Sequence, residues 1–189
     1  MTTGAALLIV DVQNDFTEGG ALGVDGGKAV AAGISQHLAQ HAADYDMIIA
    51  SRDWHDADND NDGHFAPGEP DFVTNWPVHC VADTAGAEFD PGLDTTPITH
   101  HVKKGQGAHG YSAFEGVTDD GATLAELLTD VRRVDIVGIA TDHCVRASGL
   151  DALGDVADVR ILTALVAGVA AEPSQAALAE LAAKGATIV

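Results

Sequence analysis

The sequence predicts a three-layer α/β/α fold around a central, mostly parallel sheet. Three observations predict it. Apolar runs of strand length recur and alternate with stretches of helical spacing, the order expected of right-handed βαβ units. The first run, Ala5–Val10, is continuously apolar, as strands covered on both faces are. Chemically active residues stand just after several of them, where ligands bind in such sheets.

The elements follow in chain order. Ala5–Val10 is a buried strand ending at Asp11. Residues 28–43 have helical spacing and follow the Gly26-Gly27 turn. Residues 47–51 form a second buried strand and residues 98–103 a third. Residues 123–129 read as helix, 134–139 as strand and 142–153 as helix. Residues 159–165 are a strand. Glu172-Pro173-Ser174 opens a helix with proline in its first turn, and residues 186–189 make a last short strand. Residues 53–97 are polar, with many Pro, Gly and Asp and little periodicity. They are no linker, because they hold Trp54, Phe65, Phe72 and Trp76. A loop of that length in a compact domain is usually functional.

The chain has 189 residues, which suits a single domain over 1–189 with a sizeable core. Nine Lys+Arg against 29 Asp+Glu give a formal charge of -20. That disfavours nucleic acid and anionic membrane as partners. No apolar run is long enough to span a bilayer, and Ala5–Val10 is too short for a signal-peptide core. Two distant cysteines make no disulfide framework, so a cytoplasmic place is expected, with monomer and homo-oligomer both open.

The strongest chemical signal is Gly138-Ile139-Ala140-Thr141-Asp142-His143-Cys144-Val145, a strand turning directly into a helix. In the first turn of that helix, free N–H groups and the dipole favour a thiolate, so Cys144 is expected to have a lowered pKa and to act as a nucleophile. The plainer alternative is a small buried residue. Asp11, Asp53 and Lys104 follow the other strands on the same edge. An acid, an amine and a thiol gathered there suit nucleophilic catalysis, with Asp11 taking the thiol proton and Lys104 holding Asp11.

Three further patterns need weighing. Gly105-Gln106-Gly107-Ala108-His109-Gly110 satisfies G-x-G-x-x-G, but no helical run follows to receive a pyrophosphate. Asp58, Asp60, Asp62 and Glu69 match the spacing of a calcium loop. A strand precedes them and Pro67-Gly68 follows where a helix should begin, so a solvated acidic insertion is expected instead. Asp53, His55, His64 and His79 offer one carboxylate and three imidazoles, a set suited to Zn, Fe or Mn rather than Ca or Mg.

These segments together resemble a known family. Ile9-Val10-Asp11-Val12-Gln13-Asn14-Asp15-Phe16, Asp53-Trp54-His55, Trp76-Pro77-Val78-His79-Cys80, Lys104-Gly105, Tyr111-Ser112-Ala113-Phe114 and the Cys144 segment are similar to the nicotinamidase/pyrazinamidase branch of the isochorismatase-like cysteine hydrolases. The likeness runs in order over nearly the whole chain and implies their Rossmann-like fold. It implies Asp11, Lys104 and Cys144 as catalytic triad, Ala140 and Cys144 N–H groups as oxyanion hole, and a cis peptide between Ile139 and Ala140. It further implies one divalent transition metal on Asp53, His55, His64 and His79, touching the pyridine nitrogen of a substrate held by Phe16, Trp76 and Tyr111. The implied reaction is hydrolysis of nicotinamide to nicotinate and ammonia through a thioester, a step of NAD salvage, with pyrazinamide as a second substrate. Two alternatives stay open from the residues: a sister amide hydrolase on the same scaffold, and a phosphoryl-accepting receiver-like domain, which also places Asp at strand ends beside a Lys.

Overall fold

The computed structural model describes residues 4–189. Six strands form one sheet in the order β3-β2-β1-β4-β5-β6, with every neighbouring pair parallel. They are β1 (Ala5–Val10), β2 (Met47–Asp53), β3 (His100–Lys104), β4 (Arg133–Ile139), β5 (Asp158–Ala167) and β6 (Thr187–Ile188). The helices are α1 (Gly27–His41), α2 (Leu124–Leu127), α3 (Arg146–Asp155) and α4 (Ala171–Lys184).

Strand β1 shows why the apolar runs are continuous. Leu7 and Ile9 pack on one face with Val30, Ala31, Ile34 and Leu38 of α1. Ala6, Leu8 and Val10 pack on the other with Leu124, Ala152 and Leu181 of α2, α3 and α4. Both side-chain sets of a strand with period two are therefore buried. Truncating Leu8 or Ile9 to alanine costs about 2–5 kcal/mol.

The boundaries depart from expectation where function interrupts hydropathy. Strand β2 runs on to Asp53 and β3 runs on to Lys104, so both polar residues lie within the ladder, paired with each other in register. The helix expected from Asp142 begins as a π-helical turn, Thr141–Val145, and becomes regular only at Arg146. The helix expected over 123–129 is one short turn, α2, with a capping box between Thr123 and Glu126. Strand β5 reaches Ala167 past a register shift opposite Ile136 and Gly138.

The polar segment 53–97 holds no α-helix and no strand past Asp53, yet it is ordered by what it buries. Phe65, Cys80, Ala87 and Leu93 are inside, and isolated bridges join His55 to Val81 and Phe65 to Trp76. Phe72, in contrast, is exposed. Within its acidic stretch, Asp58, Asp60, Asp62 and Glu69 all face solvent. The turn closes on buried Asn61, whose Oδ1 accepts from the Asp56 and Gly107 N–H groups at 2.9 and 3.1 Å. Asn61 takes a left-handed φ of 50°, a conformation asparagine tolerates better than most residues.

Candidate active site

In this strand order the chain runs outward one way from β1 and the other way from β4. The carboxyl ends of these two adjacent strands are thus the switch point where ligands bind. Asp11 leaves β1 there with a left-handed φ of 47°. Cys144 stands opposite, in the π-helical turn after β4. Asp142 fixes that turn by accepting from the N–H groups of Val169 and Ala170 at 3.0 and 3.1 Å, just ahead of α4. The Ile139–Ala140 peptide before the turn is cis.

Lys104 ties the pieces together. Its ammonium is buried, hydrogen-bonded to Asp53 Oδ1, 3.0 Å from Asp11 Oδ2 and 3.8 Å from Cys144 Sγ. Ser51 Oγ donates to the other oxygen of Asp11 at 2.7 Å. Burial works against ionising Lys104, but Asp11, Asp53 and the thiol hold its pKa well above the usual lysine value. Burial also opposes ionisation of Asp53, yet Lys104 keeps that carboxyl well below the usual range. Asp11 goes the other way: burial raises it, helped by the charge of Asp53, against the pull of Lys104.

Cys144 corrects the expectation of a lowered thiol pKa. Burial, aided by the two carboxylates, pushes it well above the usual cysteine value despite Lys104. The turn around Cys144 is π-helical and enclosed, and desolvation is the largest influence on the thiol. The resting thiol therefore needs a base at the moment of reaction.

The four metal-type residues converge. One ligand atom each from Asp53, His55, His64 and His79 lies within 4.8 Å of the others, and all four residues are buried. The second ring nitrogens are tied back: His55 Nδ1 pairs with the Gly105 carbonyl at 2.9 Å and His79 Nδ1 with the Pro77 carbonyl at 2.7 Å. This fixes the tautomer and turns both Nε2 lone pairs toward Asp53 Oδ2, at 3.5 and 3.8 Å. His55 Nε2 is buried without a hydrogen bond. Burial and the adjacent imidazoles push His64 down to about 3, leaving it in the neutral, ligating form. An orphaned buried nitrogen beside neutral His64 and an ionised carboxylate fits a divalent cation. Asp58, Asp60, Asp62 and Glu69 form no such group among the described residues.

A cleft of about 420 Å³, open mouth included, joins the two centres. Cys144 and Ala140 line it together with Asp53, His64 and His79. Phe16, Trp76 and Tyr111 supply aromatic walls, and Trp76 Nε1 donates to the Tyr111 hydroxyl at 3.0 Å. Sequence reasoning missed Leu22, Val24, His143 and Val169, which also line it. His143 stands edge-on to Trp76 at 5.2 Å, and its place beside Cys144 was the available signal.

A parallel α/β fold with a thiol, a carboxylate and an ammonium at its switch point has the architecture of a cysteine hydrolase. Residues 5–189 match the family described as Isochorismatase domain, and the chain belongs to it. The nicotinamidase/pyrazinamidase of Mycobacterium tuberculosis is 49% identical over 178 residues, covering 93% of each chain. The structure of PnC1 from L. infantum in complex with nicotinate superposes with a TM-score of 0.84 at 35% identity, covering 100% of this chain and 95% of that one. The zinc complex of the pyrazinamidase of Pyrococcus horikoshii gives 0.81 at 36% identity, covering 98% of both. Membership of this family removes the receiver-like alternative. Among the described residues no helix is long and apolar enough to cross a membrane.

Proposed function

We propose that this protein hydrolyses nicotinamide to nicotinate and ammonia, and pyrazinamide likewise, as an amidohydrolase of linear carboxamides. The observation that carries the reading is one aromatic-walled cleft with a thiol and its acid–amine partners beside a three-histidine, one-carboxylate cluster. A relative named for both amides at 49% identity supports the same substrates.

The chemistry divides among the residues as follows. Phe16 and Trp76 flank the planar ring, with Tyr111 beside them, and set its carboxamide against Cys144. Asp11 accepts the Cys144 proton as sulfur attacks the carboxamide carbon, and the Ala140 and Cys144 N–H groups stabilise the developing oxyanion. Asp11 then gives the proton to the leaving ammonia, and a thioester to Cys144 remains. A water that loses a proton to Asp11 attacks the thioester carbon; the C–S bond breaks, nicotinate leaves, and Asp11 returns that proton to the Cys144 sulfur. Lys104 keeps Asp11 oriented. Asp53, His55, His64 and His79 hold one zinc, iron or manganese ion, which supplies an electrophilic contact for the ring nitrogen when bound. Zinc in the Pyrococcus horikoshii pyrazinamidase supports this ligand chemistry. Residues 1–189 act as a single domain in the cytoplasm, in keeping with two buried free thiols.

Incubating purified protein with nicotinamide tests the reading. Equimolar ammonia and nicotinate are expected, and no release of either from nicotinamide would refute it.

A further inference from the structure

Strand β1 abandons its neighbour β2 before the active site is reached. Their register runs from Ala6↔Met47 to Ile9↔Ala50, and one further bond joins the Asp11 N–H to the Ser51 carbonyl at 3.2 Å. The chain then turns away at Asp11. Asp53, two residues farther along β2, keeps Lys104 of β3 as a partner on one side only. Asp53 is buried, and a backbone group left unpaired there would lose its water without gaining a partner.

The side chain of Gln13 fills the vacant edge. Its Oε1 accepts from the Asp53 N–H at 2.9 Å, and its Nε2 donates to the Asp53 carbonyl at 2.8 Å. One carboxamide thus makes the pair of bonds a neighbouring strand would make. Nε2 also donates to the Ala87 carbonyl at 2.8 Å, so both of its N–H groups are spent. The Gln13 side chain is wholly enclosed.

What this clamp fixes is the direction of the Asp53 carboxylate. Its Oδ1 takes the Lys104 ammonium, while its Oδ2 faces His55 and His79. A small rotation of the Asp53 backbone would move both oxygens together. We propose that Gln13 is a positioning residue, which replaces the missing strand beside Asp53 and so aims that carboxylate at the metal cluster and at Lys104 at once. Gln13 lies outside the cleft lining and acts only through Asp53. The inference rests on the reading of Asp53 as a metal ligand.

Zinc affinity of chelator-treated protein, measured by competition with a chromophoric chelator, tests it without reference to turnover. Gln13→Met keeps the length of the side chain but none of its hydrogen bonds, and should lower zinc affinity about 10–100-fold. Gln13→Glu places an acceptor against the Asp53 and Ala87 carbonyls and should lower it too. Thr17→Val removes another buried hydrogen bond of the same loop, Thr17 Oγ1 to Asp90 Oδ2 at 2.8 Å, without touching Asp53. Its zinc affinity should equal that of wild type; an equal fall in Thr17→Val would reduce the Gln13 effect to general loosening and overturn the assignment. Wild-type affinity in Gln13→Met would also overturn it. No zinc uptake by wild type would sink the metal reading, and the role of Gln13 with it. Should neither Gln13 variant fold, the wild-type side-chain amide decides. Its NMR signals should exchange slowly and shift on adding zinc; fast exchange with no shift would overturn the proposal.

Discussion

Lys104→Met is the most informative single change, because one buried ammonium faces three groups. Methionine keeps the unbranched stem and removes the charge. Asp11 and Asp53 are then two buried carboxylates that have lost the cation between them. Breaking a buried pair by removing one partner costs about 3–5 kcal/mol. The loss has a pH signature. Burial already raises Asp11 from 3.8, and Lys104 is what opposes the rise, so its removal sends Asp11 higher still. An acid whose folded pKa exceeds its unfolded value destabilises the fold at high pH. That penalty is relieved as pH falls through the folded pKa, by up to about 1.4 kcal/mol per pH unit, until the unfolded value near 3.8 is reached. Urea unfolding of chelator-treated wild type and variant at pH 7 and pH 5 measures this. The gap between them should be about 3–5 kcal/mol at pH 7 and narrower at pH 5. A gap below about 1 kcal/mol, or one equal at both pH values, would refute the buried-cation argument.

Three further outcomes are expected. Cys144→Ala abolishes amide hydrolysis with the far-UV spectrum unchanged, and Asp11→Asn does the same because an amide cannot take the thiol proton; turnover near wild type in either removes that residue from its role. His79→Ala lowers bound metal below the expected one ion per chain and raises KM for nicotinamide, and a full metal content in that variant rules out the ligand set. Calcium titrated into metal-replete protein gives no heat, since Asp58, Asp60, Asp62 and Glu69 are solvent-facing and the turn is closed by Asn61; saturable micromolar binding lost in Asp58→Asn with Asp60→Asn would reverse this.

The sheet was legible because β1, β2 and β4 are buried on both faces, so β1 is apolar throughout and β2 and β4 carry mostly apolar stretches. Its ends were not, because Asp53 and Lys104 are strand residues whose polarity serves the site, and hydropathy stops one or two residues early. The four metal-type residues could be picked out by residue chemistry alone. Their convergence depends on bridges at His55–Val81 and Phe65–Trp76, which have no periodic signature. Gly105 illustrates what local pattern conceals. It belongs to a G-x-G-x-x-G match, yet its φ is 86° and an added Cβ would stand 2.6 Å from the His55 ring, so the glycine serves the close approach of the loop to His55. The thiol pKa was misjudged for a related reason. Sequence shows the turn that stabilises an anion but not the burial that opposes it.

The distribution of protons then singles out one base. Lys104 holds its proton tightly, because two carboxylates and a thiol surround it. Asp53 holds none, because the buried Lys104 ammonium beside its Oδ1 keeps the carboxyl ionised. Asp11 is shifted upward by its burial, which brings the acid closer to the range where it can exchange a proton near neutral pH, and Cys144 is shifted upward too. Ser51 occupies Asp11 Oδ1, while Oδ2 is buried with no aligned hydrogen bond. The free lone pair of Asp11 is therefore on Oδ2, held 3.0 Å from an ammonium that is itself 3.8 Å from the sulfur. Moving the thiol proton to Oδ2 leaves the thiolate beside a fixed positive charge, so the same lysine that orients the base stabilises the nucleophile it creates.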